Sequence, residues 1–167
     1  KSTFLKIIAG EMDPTSGRVI LEPGKRMSVL NQNHNMFDKY TVLDTVLIGN
    51  KTLHAIKSEM DALYADYDDK NADRIGELQL KFDEMNGWNA ESDAATLLSN
   101  LEIEAEHHYT LMGEMDGKLK VRVLLAQALF GNPDVLIMDE PTNDLDFATI
   151  GWLENFLANY ENTVLVV

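Results

Sequence analysis

Hydrophobic and polar positions along this chain change their period repeatedly, and each change marks an element. Phe4, Ile7 and Ile8 have helical spacing and Gly10 is a good helix terminator, so the chain opens on a short helix. Asp13-Pro14-Thr15-Ser16-Gly17 is a turn cluster, after which Arg18 to Glu22 alternates enough to predict a strand. Pro23-Gly24 turns the chain again, and Met27 to Leu30 predicts a second strand leading to Asn31 and Gln32. Thr41 caps a helix carrying Val42, Leu43, Val46 and Leu47, with Asp44 completing a capping-box-like pattern, and Gly49-Asn50 interrupts it.

The pattern then narrows. Leu53, Ile56, Met60, Leu63 and Tyr67 form one heptad-like seam, and Ile75, Leu78, Phe82 and Met85 form a second. Polar Asp68-Asp69-Lys70-Asn71 between them predicts the tip of a helical hairpin over residues 51–86. At 1.5 Å per residue, helices of about 15 residues project on the order of 22 Å, a spur rather than a core, the alternative being that the pair enlarges a helical subdomain and packs on its own domain. Gly87 ends the hairpin, and Asn89 caps a helix bearing Ala94, Leu97, Leu98 and Leu101. Val121 to Phe130 is nearly all apolar, which predicts a buried helix stopped by Gly131 and Pro133. Val135 to Met138 reads as a buried strand, Ile150, Leu153, Leu157 and Tyr160 as a helix, and Thr163 to Val167 as a last strand.

Chemistry enters where the Val135–Met138 run ends in adjacent acids, Asp139 and Glu140, followed by Pro141. Two carboxylates at the carboxyl edge of a sheet stand where α/β folds bind ligands. One can hold a divalent cation, while the other orients or deprotonates an attacking water; equally, two acids can simply close a strand in solvent. At the other end, Lys1-Ser2-Thr3 matches the close of the phosphate-binding loop Gly-x-x-x-x-Gly-Lys-Ser/Thr, placed at the first turn of a helix. Asp116 and Asp146 are each positioned to cap a following helix. His107 and His108 are adjacent, point about 100° apart on a helix, and are expected on the surface.

Composition limits the options. The 167 residues, 45% of them hydrophobic, suit one globular domain. No apolar run approaches the ~20 residues of a bilayer-spanning helix, so no direct membrane insertion is expected. The absence of cysteine removes disulfides and thiolate metal sites and fits a cytoplasmic location. A formal charge of −14 argues against a general nucleic-acid surface. The hairpin, with five basic and nine acidic residues between Lys51 and Met85, suits contact with protein, or with RNA at isolated points.

Lys1-Ser2-Thr3, Gln32, the stretch Lys120-Val-Arg-Val-Leu-Leu-Ala-Gln-Ala-Leu129 and Asp139-Glu140-Pro141-Thr142-Asn143-Asp144-Leu145-Asp146 occur in this order. Together they resemble the ATP-binding cassette superfamily, and most closely its soluble F-type ATPases, which carry two cassettes in one polypeptide and act on ribosomes. The Thr142-Asn143 pair and the position of the hairpin look particularly like the F type. The resemblance implies an α/β P-loop nucleoside-triphosphatase fold over residues 1–167, mostly parallel, with a small antiparallel patch near Arg18 to Asn31 and a helical subdomain bearing the hairpin. It implies ATP and Mg²⁺ as cofactors: Lys1, Ser2 and Thr3 toward the phosphates, Ser2, Gln32 and Asp139 toward the metal, Glu140 toward the attacking water. Gln32 would also couple the nucleotide to the helical subdomain.

Two cassettes would pair, with Asp116, Gly117 and Asp146 facing the partner's nucleotide. Leu111 to Lys120 reads Leu-Met-Gly-Glu-Met-Asp-Gly-Lys-Leu-Lys, where the family has Leu-Ser-Gly-Gly-Gln/Glu before Lys-x-Arg-Val. A carboxylate at Asp116 would repel a phosphate there, and capping is the more ordinary role for it. With the loop glycines, the family's terminal His and a partner signature outside these residues, the fragment alone is expected to hydrolyse ATP poorly. The intact protein reads as an ATPase switch on the ribosome. A transporter's ATPase subunit, with a groove behind Gln32 for a coupling helix, and a noncatalytic scaffold cassette are the alternatives.

Overall fold

The structure is a computed structural model that describes residues 2–167; Lys1, predicted to hold phosphate, lies outside them. Three short strands, β1 (Met27–Val29), β2 (Val135–Met138) and β3 (Thr163–Val166), form a sheet of order β1-β2-β3. All pairings are parallel, with Met27 opposite Val135 and Val135 opposite Thr163. The hydrophobic β2 is central and buried at Leu136, Ile137 and Met138, as a strand flanked on both sides must be.

The helices are α1 (Ser2–Ile8), α2 (Val42–Leu47), α3 (Lys51–Ala65), α4 (Ala72–Glu84), α5 (Ala90–Asn100), α6 (Gly117–Leu129) and α7 (Phe147–Ala158). The apolar α6 is the hub: it packs on α2 and α5, and Val123, Leu124, Leu125, Ala126 and Ala128 are buried. Fully burying each leucine there contributes roughly 1.5–3 kcal/mol. Helices α3 and α4 lie along each other, and Leu53, Met60, Leu78 and Phe82 of their seams join the same core cluster. The seam stops short of Tyr67, which lies beyond α3 and is exposed.

Polar staples join helices to sheet. Arg26, just before β1, donates to the carbonyls of Gly49 (3.1 Å) and Phe130 (2.6 Å), closing the carboxyl ends of α2 and α6 together. Ser28 donates to Ala128 O at 2.6 Å, and Gln127 donates to Thr45 O at 2.8 Å between two buried helices.

Three further expectations fail. Arg18 to Glu22 is not a strand, and no antiparallel ladder forms among the described residues, where the one antiparallel pairing is the isolated Thr41–Leu111 bridge. A strand needs a neighbour for its hydrogen bonds, and Ile20, 71% exposed, has no sheet beside it. Asn89 occupies the start of α5 without capping it, because its side chain donates to Asn86 Oδ1 at 2.7 Å instead. His108 is buried rather than superficial, its ring 3.3 Å from Ile103 O and its own carbonyl accepting from Leu43 N–H.

Candidate functional site

Strand β2 delivers Asp139 to its carboxyl end, and the residue after it leaves the sheet abruptly. Glu140 has φ of +45°, a left-handed conformation rare for a residue with a side chain. Pro141 disfavours the right-handed helical region for its predecessor, and two hydrogen bonds hold the turn: Glu140 N–H to Val167 O (2.7 Å) and Val167 N–H to Met138 O (3.0 Å). The strained backbone turns Glu140 out into solvent, where Asn143 donates to its carboxylate at 2.7 Å.

Asp139 is in the opposite situation. Its Oδ1 is buried and has no hydrogen-bond partner among the described residues. A buried carboxylate oxygen without a partner is costly, and a hard cation is the partner that oxygen suits best. Magnesium sites use one or two carboxylates together with substrate phosphates, so the absence of a larger acidic cluster among the described residues is compatible with one.

Gln32 reaches this point from the end of β1, donating from Nε2 to Asp139 O at 3.0 Å. Both residues line a cleft of about 700 Å³ whose lining also includes Leu5 and Lys6 of α1 and Ala9 just after it. Ser2 and Thr3 sit one turn before Leu5 on that helix; both are exposed, and neither lines the cleft. Lys6, Arg26 and Lys51 against Glu11 and Asp139 leave this cleft slightly cationic on an otherwise acidic chain. The fold thus brings Gln32 and Asp139 together directly, leaves Glu140 beside them but turned to solvent, and sets α1, which carries Ser2 and Thr3, along the same cleft.

Asp116, Gly117 and Asp146 stand apart from that cleft. Asp116 accepts from Lys118 N–H (2.9 Å) and Leu119 N–H (3.0 Å), capping α6, whose first residue is Gly117. Asp146 caps α7 by accepting from Thr149 N–H at 2.9 Å, and its second oxygen is bound by Arg122 of α6. The Thr149 N–H first, and Arg122 after it, hold the Asp146 carboxyl well below the usual carboxylate range. A depressed folded-state value means that this stabilisation is present above the unfolded value near ~4 and disappears as pH falls through the folded one. Asp146→Asn is therefore expected to lower the urea midpoint at pH 7 and to flatten its decline below about pH 5. An unchanged acid limb would show that the cap and ion pair contribute nothing.

The sequence reading gave no site role to six residues. His34 Nε2 lies 3.9 Å from Asp144, Asn143 binds Glu140, and the Lys120 ammonium contacts Asp38 (2.7 Å) and Asn35 (3.2 Å) in the segment after Gln32. Only Asn143, three residues from Glu140, left a local signal; the others join distant segments.

The ABC transporter family profile matches residues 1–143. The chain belongs to the ABC transporter family. Within it, the uncharacterized ABC transporter ATP-binding protein YkpA of Bacillus subtilis is 52% identical over 169 residues, covering 100% of this chain and 31% of its own length. The probable ATP-binding protein YbiT of Escherichia coli O157:H7 is 44% identical, over 100% of this chain and 32% of its own. The energy-dependent translational throttle protein EttA of Mycobacterium tuberculosis is 30% identical, over 100% and 30%. The chain spans about a third of the length of these curated relatives. Among solved structures, the dimeric ATP-binding cassette MJ0796 bound to ADP and Pi aligns with a TM-score of 0.61 at 20% identity, over 99% of this chain and 68% of that one. This likeness shows the α/β P-loop fold of an ATP-binding cassette. No helix among the described residues is long and apolar enough to cross a membrane.

Proposed function

We propose that this chain is part of one cassette of a two-cassette, F-type ATPase that binds Mg-ATP, hydrolyses it to ADP and phosphate, and switches conformation on the ribosome. The observation that carries the nucleotide reading is the buried Asp139 Oδ1 at the end of β2, which has no hydrogen-bond partner among the described residues, with Gln32 against the same residue. Asp139 and Ser2 would hold Mg²⁺, with Gln32 touching the ion or its water; Lys1 and Thr3 would hold phosphate oxygens. Bound metal would neutralise phosphate charge and keep the transferring group in line. Glu140 would accept the proton of the attacking water, its exposed carboxylate fixed by Asn143. Gln32 would report the nucleotide's state to the helical elements, and Asp116, Gly117 and Asp146 would face the nucleotide of the second cassette.

In the full-length protein, Asp139→Ala is expected to reduce the Mg²⁺ enhancement of ATP affinity by at least about tenfold, because even an outer-shell partner of a metal costs that much. ATP binding that responds to Mg²⁺ equally in parent and variant, read by calorimetry, would remove Asp139 from the metal site.

The ribosomal reading is supported by the similarity to EttA along the whole chain and by the α3–α4 hairpin lying between Gln32 and Asp116. The cleft behind Gln32, which also takes in Met36, Phe37, Ile48 and Thr52, favours the second reading, a transporter subunit receiving a coupling helix. Cosedimentation of the full-length Glu140→Gln protein with ribosomes in ATP separates the two. Ribosome pelleting is expected; copurification with a polytopic membrane protein in its place would reverse the assignment.

A further inference from the structure

Lys120 is a buried cation. Only 9% of its side chain is exposed, yet its ammonium reaches Asp38 Oδ1 at 2.7 Å and Asn35 Oδ1 at 3.2 Å, across more than 80 residues of sequence. An aliphatic side chain would fill that space on α6 without the cost of removing an ammonium from water. What the charge adds is a tie between the first turn of α6 and the segment after Gln32.

That segment is laced by its own hydrogen bonds. Asn31 Oδ1 accepts from Asn33 N–H (2.8 Å), Asn33 Oδ1 from Asn35 N–H (3.2 Å), and the Phe37 carbonyl from Tyr40 N–H (2.9 Å). Its far end is pinned by Gly113 N–H to Asp38 O (3.1 Å) and Met112 N–H to Tyr40 O (2.9 Å). A Cβ on Gly113 would lie 3.1 Å from Asp38 O, so the approach depends on the missing side chain. At its near end stands the Gln32–Asp139 hydrogen bond. A continuous, hydrogen-bonded strut therefore runs from Asp139 to α6, whose preceding residue, Asp116, is the one expected to face the second cassette.

We propose that Lys120 is a positioning residue that, through Asp38, makes α6 follow Gln32, so that occupancy beside Asp139 is transmitted to the Asp116 end of the helix. The inference rests on the nucleotide reading above. Lys120 does not line the cleft beside Asp139; it acts through Gln32.

The test uses the full-length protein with Lys120→Met, Asp38→Asn and Gln32→Ala, singly and paired, and follows kcat, equilibrium ATP affinity and amide exchange across residues 33–40 and α6. A coupling of ordinary size predicts that Lys120→Met and Asp38→Asn each lower kcat about fivefold or more, with ATP affinity held within about twofold. Neither is expected to lower it further once Gln32 is Ala, because all act along one strut. ATP-induced protection of the early α6 amides is expected in the parent and lost in both variants. Asp38→Asn keeps the side-chain volume at a half-exposed position, so it reports even if Lys120→Met fails to fold. Losses that multiply with Gln32→Ala, or ATP-induced protection of α6 surviving Asp38→Asn, would overturn the strut. A parent that neither binds nor turns over ATP would instead sink the nucleotide reading.

Discussion

Glu140→Gln in the full-length protein is expected to lower kcat at this site by about 10²–10⁴, the usual contribution of a positioned general base, with ATP affinity nearly unchanged. The amide keeps the volume of the carboxylate and retains one oxygen to accept from Asn143 Nδ2, so the turn at φ +45° and its bonds to Val167 are preserved. What disappears is proton affinity and one negative charge. Removing that charge does not weaken the hold on a polyphosphate; nearby anions repel it, so affinity stays level or rises. The measurement is single-turnover hydrolysis, with the corresponding acid of any second cassette replaced in both proteins so that its turnover does not mask the effect. A loss below about tenfold would take Glu140 out of the proton transfer, and an equal loss in kcat and ATP affinity would make its role ground-state binding instead.

Asp139 and Glu140 were legible in the sequence because their signal is local: a four-residue apolar run that ends in two acids and a proline leaves a buried strand little choice about where it delivers them. The α3–α4 hairpin was legible for the same reason, since each seam needs only its own helical period and a polar tip. Gln32 was placed by family resemblance; nothing in its neighbourhood distinguishes it from any other loop glutamine. The contacts that organise the site are of a different kind. Lys120 meets Asp38 across the helical part, Arg122 meets Asp146 between α6 and the turn after β2, and Arg26 closes α2 and α6 from the edge of the sheet. Each joins residues that periodicity treats as unrelated.

His108 shows the same limit. Facing rules for a helix do not apply to it, because it closes a single 3-10 turn and its exposure is decided by Leu43 and Ile103, distant or non-helical neighbours. Arg18 to Glu22 errs the other way: alternation describes a strand's faces, while only a neighbouring strand makes it one.

Gly49→Ala tests the most demanding of these long-range approaches, and it is expected to be among the most destabilising single changes in the molecule. In sequence Gly49 reads as the stop of a helix, for which an alanine would cost little. In the structure a Cβ on Gly49 would stand 2.1 Å from the backbone carbonyl oxygen of Gln127 and 2.9 Å from that of Val46. Neither obstacle is a side chain that can rotate away. Gln127 lies in α6 between buried Ala126 and Ala128, and its own side chain is bonded to Thr45 O at 2.8 Å, so α6 cannot retreat without opening the α2–α6 interface. The Gly49 carbonyl is itself held by Arg26 at 3.1 Å, which fixes the loop from the other side. Overpacking in a dense core costs typically about 1–3 kcal/mol, and a backbone-on-backbone collision belongs at or above the upper end of that range. Chemical denaturation should show a lowered midpoint with an unchanged slope, the mark of lost stability in the same native fold. Gly76→Ala is the control: it lies inside α4 with nothing within 4 Å of its would-be Cβ, and by helix propensity it should stabilise by about 0.5–1 kcal/mol. If the two alanines behave alike, the close approach of α2 to α6 is wrong, and with it the placement of the helix that carries Lys120.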